Sequence, residues 1–344
     1  MERNRERPKD LAIVLAWPQT WCKQPGSWYD NLMAYFGVSK NHYYAVGHAA
    51  VVLIEGKTGR CHYYDFGRYH APYQYGRVRG ELTDPELVIK QQALFDEFGD
   101  ITNVKEILKV LSKREACHGQ GKLFAAICQI NFKKANQKAL EMQESSPLPY
   151  GPFAIKGSNC SRFVNEVIKA GEPYIGIYLK LQFPKSITPT PMGNVKSSGN
   201  VIMVGNDDLP PPPKCRLLNQ VLEAPKRHAA IPSTAKWLAG EGAGSWYDIK
   251  PIGTFFYCRR FDEKGRIEFS SFYELEGKEF IHLDSGFSFG YPSHFQRITF
   301  IQKNKIFVLK NIGPLGDDLF QKAQSKIYPK IDIDFIQKMS ISSN

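Results

Sequence analysis

An α+β fold is predicted by three features of this 344-residue chain. Residues 48–66 read as a β-hairpin, residues 159–171 as a capped helix with one apolar face, and Trp246 to Ile312 as β-rich runs separated by turns. Before the hairpin, Leu11 to Trp17 is an apolar run that Pro18 interrupts, and it reads as a first strand. In the hairpin, residues 48–54 are apolar and rich in β-branched side chains, as a strand buried on both faces requires. Gly56-Lys57-Thr58-Gly59 supplies turn chemistry, and Cys61 to Phe66 is the returning strand. Pairing Glu55 with Arg60 sets Ala50 opposite Asp65 and His48 opposite Gly67, so that Asp65 and His48 share a face as diagonal neighbours, roughly 7–8 Å apart. A slip of one residue would put Tyr64 or Phe66 there instead.

Residues 69–80 are dense in Tyr, Gly and Arg and read as a loop. Tyr73 and Tyr75 offer stacking surface, and Arg68, Arg77 and Arg79 are forks suited to a carboxylate or phosphate. A substrate-binding loop and an ordinary Tyr-rich turn both fit this composition. Residues 102–113 have helical spacing through Val104, Ile107, Leu108 and Leu111; Lys122 to Ile130 reads as a strand, Asn131 to Gln143 as a helix, and Ser145 to Gly157 as the loop that follows.

The next helix carries the chemistry. Asn159 is placed to cap it, Phe163, Val164, Val167 and Ile168 form its apolar face, and Gly171 ends it. Cys160 then sits in the first turn, where unpaired N–H groups and the positive end of the helix dipole favour a thiolate and would also hold an oxyanion. The spacing 160, 163, 164, 167 turns the sulfur toward the interior, where His48 is the natural partner and Asp65 the group that orients it. Cys117-His118 and Cys61-His62 are rival pairs, but adjacent residues of a strand point to opposite faces. Asn159, Tyr64, Arg68, Tyr73, Tyr75 and Arg77 make up the expected substrate-contacting set. No His/Cys/Asp cluster has metal-site spacing, and no metal or other cofactor is expected.

Residues 183–215 change character through Pro184, Pro189, Pro191 and the run Pro210 to Pro213, which breaks regular structure and favours a stiff extended spacer. The expected division is a first domain over residues 1–205, a proline-rich linker over 206–215 and a β-rich accessory domain over 216–344. In the last of these, Thr254 to Arg260, Ile267 to Leu275, Glu279 to Leu283, Arg297 to Gln302 and Ile306 to Leu309 read as strands of an antiparallel sheet, and no catalytic motif is visible. Gly-Ser-Trp-Tyr-Asp occurs at 26–30 and 244–248 in unlike surroundings, which makes it a coincidence and not a duplication.

The net charge of +11 is scattered, with no long basic run and no zinc-finger or RNA-binding signature, so nucleic acid is not an expected partner. No apolar stretch approaches the ~20 residues that span a bilayer, and no signal-peptide core is visible. Seven dispersed cysteines argue for reduced thiols and a cytoplasmic location, with export by a route lacking a cleaved signal still open.

A histidine opening a strand, an acid near the end of the next strand and a later cysteine opening a helix resemble the circularly permuted branch of the papain-like, NlpC-like superfamily, which includes lecithin:retinol acyltransferase. In the usual papain order the cysteine comes first. Asn159-Cys160 followed by Phe163-Val164 is similar to the Asn-Cys-Glu-His-Phe stretch of the acyltransferases, and Pro149-Tyr150-Gly151 resembles bacterial permuted members. The resemblance covers roughly residues 10–175. It implies a papain-like domain with an antiparallel sheet and a catalytic helix, and a cysteine hydrolase acting on peptide, isopeptide or peptidoglycan-like amides or on esters. Ser161-Arg162 replaces the acyltransferase Glu-His pair, and Asp65 stands where those enzymes carry a second histidine, which favours hydrolysis over lipid acyl transfer. The alternatives are a non-enzymatic ligand- or partner-binding protein on the same fold and an acyltransferase acting on lipid-like acyl groups.

Overall fold

The computed structural model describes residues 9–24, 35, 39–205, 211, 222–277 and 281–313. The chain divides into two compact units, the first being residues 1–81, 86–222 and 240–242 and the second 82–85, 223–239 and 243–344. Both are built on antiparallel sheet, with the α-helices of the described residues in the first unit, so the molecule is a two-domain α+β protein with a β-rich C-terminal domain.

The first unit contains strands β1 (Leu11–Trp17), β2 (Cys22–Lys23), β3 (Ser39–Lys40), β4 (Tyr43–Tyr44), β5 (His48–Ile54), β6 (Cys61–Gly67), β7 (Tyr75–Gly80), β8 (Leu123–Gln129), β9 (Leu148–Pro149) and β10 (Ile202–Val204). Its helices are α1 (Val104–Lys113), α2 (Phe132–Glu144), α3 (Cys160–Ala170), α4 (Ile175–Gln182) and α5 (Pro191–Ser198). The main sheet has the order β10-β8-β1-β5-β6-β7-β9, and β2, β4 and β3 form a small separate sheet. β1 and β5 are buried along their whole length, because helices cover both faces of the sheet. On one face Ala49, Val51 and Leu53 pack with Ala135 and Ala139 of α2, Phe163, Val164 and Val167 of α3 and Val195 of α5. On the other, Ala50, Val52 and Ile54 pack with Ile107, Leu108 and Leu111 of α1 and with Leu87 and Ile89. No helix of the described residues is long and apolar enough to cross a membrane.

The residues expected to form a loop at 69–80 end in a strand, β7, which pairs with β6 from Tyr64↔Gly80 to Gly67↔Arg77. The glycines that read as loop signals serve a close approach instead: a Cβ on Gly80 would lie 2.6 Å from the Tyr64 ring. Residues 183–215, expected to lack regular structure, include α5 and β10. Pro191 occupies the first turn of α5, where proline's missing N–H costs no hydrogen bond, and the Thr190 hydroxyl caps Gly193 N at 3.0 Å. The expected linker at 206–215 lies outside the described residues apart from Pro211.

The second unit holds β11 (Lys236–Leu238), β12 (Ser245–Ile252), β13 (Phe255–Phe261), β14 (Ile267–Leu275), β15 (Ser288–His294), β16 (Arg297–Gln302) and β17 (Lys305–Gly313), in the order β11-β12-β13-β14-β17-β16-β15. Lys236 Nζ bonds Phe287 O and the Tyr291 hydroxyl bonds Ala239 O, which draws the two edge strands together and curls the sheet toward a barrel. Tyr247, Phe256, Tyr273, Phe300 and Leu309 fill it. Within this unit Arg260 is fully buried and ion-paired with Asp84 at 3.1 Å and Glu268 at 2.7 Å. β12 and β15 were not legible as strands, since each contains proline. Of the run expected at 279–283, residues 279–280 lie outside the described residues and 281–283 are irregular. The first copy of the repeated pentapeptide, at 26–30, also lies outside them.

Candidate active site

His48 opens β5 at the point where β1 ends, paired with Trp17. The turn into it requires glycine: Gly47 has φ +80°, and a Cβ there would stand 2.7 Å from Pro18 Cα and 2.8 Å from Trp17 O. The Trp17 ring stacks on the imidazole at 5.9 Å, and Tyr69 meets it edge-on at 6.3 Å. Ala50 pairs with Asp65, and from that register the Asp65 carboxylate reaches His48 Nε2, with Oδ2 at 3.4 Å. With Nε2 so engaged, Nδ1 is the ring nitrogen left for a second partner.

That partner is Cys160. Asn159 caps α3 through its side chain, which accepts Arg162 N–H at 2.8 Å, while its carbonyl accepts Phe163 N–H at 2.9 Å. The N–H groups of Cys160 and Ser161 have no intrahelical acceptor. Arg162 fans over the preceding loop, donating to the carbonyls of Gly151, Pro152 and Ala154 at 3.1–3.4 Å. α5 ties down the other side, with Asn194 Nδ2 donating to Ser161 O at 2.8 Å. Cys160 itself is 6% exposed. Burial opposes its ionisation, but hydrogen bonding to His48, the His48 charge, Ala49 N–H and the Ser161 hydroxyl outweigh it and hold the thiol below its ordinary value. Burial likewise opposes charge on His48, yet Asp65 and Cys160 together raise it from 6.5 to about 9. A thiolate facing an imidazolium is the state these shifts favour.

Asp65 is fully buried and answers to more than the histidine. Arg79, its cross-strand neighbour, grips it bidentately, Nε to Oδ1 at 3.0 Å and a terminal nitrogen to Oδ2 at 2.6 Å. The Tyr63 hydroxyl adds a bond of 3.0 Å to Oδ2. Burial opposes the charge, but Arg79 and His48 keep the carboxyl well below the usual carboxylate range. Arg79 in turn lies over the Tyr69 ring at 4.0 Å and donates to Ala116 O at 3.0 Å.

The residues expected to contact substrate are distributed unevenly. Tyr64 is on the opposite face of β6 from Asp65, buried, with its hydroxyl on Asn136 at 2.8 Å. Arg77 Nε donates to Tyr69 O at 2.8 Å, and a terminal nitrogen lies 3.1 Å from His70. Arg68 is buried, bonded to Glu241 at 2.9 Å and to Lys23 O, with its guanidinium 4.9 Å from the centre of the Tyr150 ring. Tyr73 is half-buried and Tyr75 exposed, pairing with Pro149 at the sheet edge. Three groups stand near the sulfur that sequence reasoning did not place there. Burial and then the Cys160 charge push the Tyr150 phenol above its ordinary range, and burial with Asp65, Cys22 and Cys160 does the same to Tyr69. Cys22, whose thiol contacts Gly47 O at 3.4 Å, is pushed up to about 12 by burial and by Cys160. Arg79 was read only as a fork in an expected loop, because its place opposite Asp65 comes from the β6–β7 register and not from the β5–β6 register that sets Asp65 beside His48. The described cysteines are all free thiols, and Cys215 lies outside the described residues. Among the described residues no group of three or more His, Cys, Asp or Glu side chains converges on a metal-sized space.

Residues 12–174 match the family model described as type VI secretion system effector TseH-like. They span the three residues above and end just past α3. Residues 235–312 match a second model, the DUF6695 C-terminal domain. Among solved structures, the crystal structure of the type VI secretion system effector TseH is similar at 20% identity and a TM-score of 0.41, over 58% of this chain and 94% of that one. No curated protein matches the chain.

Proposed function

We propose that the chain is a cysteine hydrolase of the circularly permuted papain-like superfamily, acting as an effector of the TseH-like kind on an amide or ester bond. The observation that carries this reading is the meeting of a depressed thiol at a helix start with a histidine raised to about 9 and held by a buried carboxylate. The order of histidine, acid and cysteine along the chain, on a sheet packed against the cysteine helix, supports the superfamily assignment. The match of residues 12–174 to the effector family supports the biological setting.

In this mechanism the Cys160 thiolate attacks the carbonyl carbon, and the oxyanion is held by the N–H groups at the start of α3, a class of interaction worth ~3–4 kcal/mol per donor. His48 gives its Nδ1 proton to the leaving amine or alkoxide. It then takes a proton from water, whose oxygen attacks the thioester and releases acid and thiolate. Asp65 fixes the ring, and Arg79 with Tyr63 fixes Asp65. Asn159 acts by setting the helix start, Arg68 by holding Tyr150, and Tyr69 and Tyr150 face the substrate.

Brief treatment with iodoacetamide at mildly acidic pH, followed by mass-spectrometric mapping, tests the site. Cys160 is expected to label first among the seven cysteines, and His48→Ala to remove that preference with the fold intact. Faster labelling of Cys22 or Cys117, or an unchanged rate in His48→Ala, would overturn the assignment.

A further inference from the structure

α4 is a surface helix with apolar side chains on both sides. Leu181 and Ile177 pack inward on the core of the first unit. Ile175, Tyr178 and Leu179, at helical spacing on the other side, face out, with Ile175 at 59% and Leu179 at 48% exposure. The patch begins before the helix with Tyr174, 75% exposed, and continues past it with Phe183 at 71% and Ile187 at 92%. Scattered exposed apolar residues are ordinary, but six in fourteen positions are a contiguous surface feature that marks an interaction site.

The charges around it narrow the partner. From Pro173 to Asn206 the chain has no acidic residue, and Lys180, Lys185 and Lys196 are all exposed. A second copy of the chain docked on this face by a two-fold axis would bring Lys180 and Lys185 toward their own copies, an unfavourable juxtaposition. Aromatic and aliphatic side chains projecting from a short helix and its exit, flanked by lysines on a chain of net charge +11, have the chemistry of an interfacial helix. We propose that α4 and residues 183–187 dock on the surface of an anionic lipid bilayer, with Ile175, Leu179, Phe183 and Ile187 entering the headgroup boundary and the lysines contacting lipid phosphate. The proposal is independent of the hydrolase reading.

Co-sedimentation with vesicles tests it. Binding of the full chain to phosphatidylcholine–phosphatidylglycerol vesicles should exceed binding to phosphatidylcholine alone by about tenfold and weaken with added salt. Phe183→Asp with Ile187→Asp should reduce it by about tenfold or more, and Lys180→Glu with Lys185→Glu should abolish the preference for the anionic lipid. All four side chains are exposed, so circular dichroism and the Cys160 alkylation rate should not change. Equal binding to both vesicles, or binding unaffected by either pair of substitutions, would overturn the proposal. So would self-association in solution that the Asp pair abolishes while no vesicle binding is found.

Discussion

Asp65 has two obligations that a single substitution separates. Besides orienting His48 it neutralises Arg79, which is buried beside it with a bidentate contact. Asp65→Asn should therefore leave a buried guanidinium short of its counter-ion and cost ~3–5 kcal/mol of stability, read as a lower melting temperature. Asp65→Asn combined with Arg79→Met should recover much of that stability and none of the activity, which separates the structural from the chemical part. The same carboxyl sets the acid limit of the fold. It is held below its ordinary value of 3.8, so it contributes stability above 3.8 that is lost as the pH falls through the folded value. Melting temperatures recorded downward from neutrality should drop below that point, and should drop less in the double variant. In the proposed mechanism His48 limits the reaction on the other side. The thiolate–imidazolium pair exists between the depressed thiol value and about 9, so hydrolysis should rise with thiol ionisation and fall as the pH passes 9. A pH–rate profile of kcat/KM checks it, and a basic limb near 6.5 would show that His48 is unpaired in the free protein.

At the level of elements, the position of His48 depends on a turn that has no room for a side chain. Gly47→Ala should force either a strained left-handed residue or a shift of the β1–β5 junction, at a cost of ~1–3 kcal/mol and with a loss of activity larger than that destabilisation explains. Comparing the melting temperature with the Cys160 alkylation rate would show whether the base has moved. The elements that position the site were legible for definite reasons. β1 and β5 are buried on both faces, so their residues form unbroken apolar runs, and α3 has a capping residue, an apolar face and a glycine stop. β7 was hidden because its side chains serve needs other than an apolar face: Gly80 makes space for Tyr64, and Arg77 and Arg79 are buried through polar partners. α5 was hidden by prolines, which end helices in mid-chain and begin them in the first turn. The proximity of Tyr69 and Tyr150 to the sulfur arises from loop paths, and that of Cys22 from a two-residue strand, neither of which any periodicity reports.

Across the whole molecule, the first unit is not one continuous piece of chain, since residues 240–242 belong to it. Glu241 there accepts from Arg68 at 2.9 Å and from Gln74 N at 2.9 Å. We propose a division of labour in which residues beyond 216 add substrate or partner contacts and not catalytic groups. A chain ended near Val204 tests it, but this truncation also removes the counter-ion of buried Arg68. It should be less stable by ~3–5 kcal/mol, and Arg68→Met in the same truncation should recover part of the loss. Retained selectivity of alkylation at Cys160 in that protein would support the division; a folded but unreactive thiol would end it. The order of the groups has a further consequence, in time. β1 lies between β5 and β8, and Cys160 follows His48 by more than a hundred residues. At a synthesis rate of about 5–20 residues per second, His48 leaves the ribosome on the order of ten seconds before Cys160. In the proposed mechanism a nascent chain that stops short of α3 lacks its nucleophile, so the reactive thiol arises only after every strand of the main sheet except β10 has been translated.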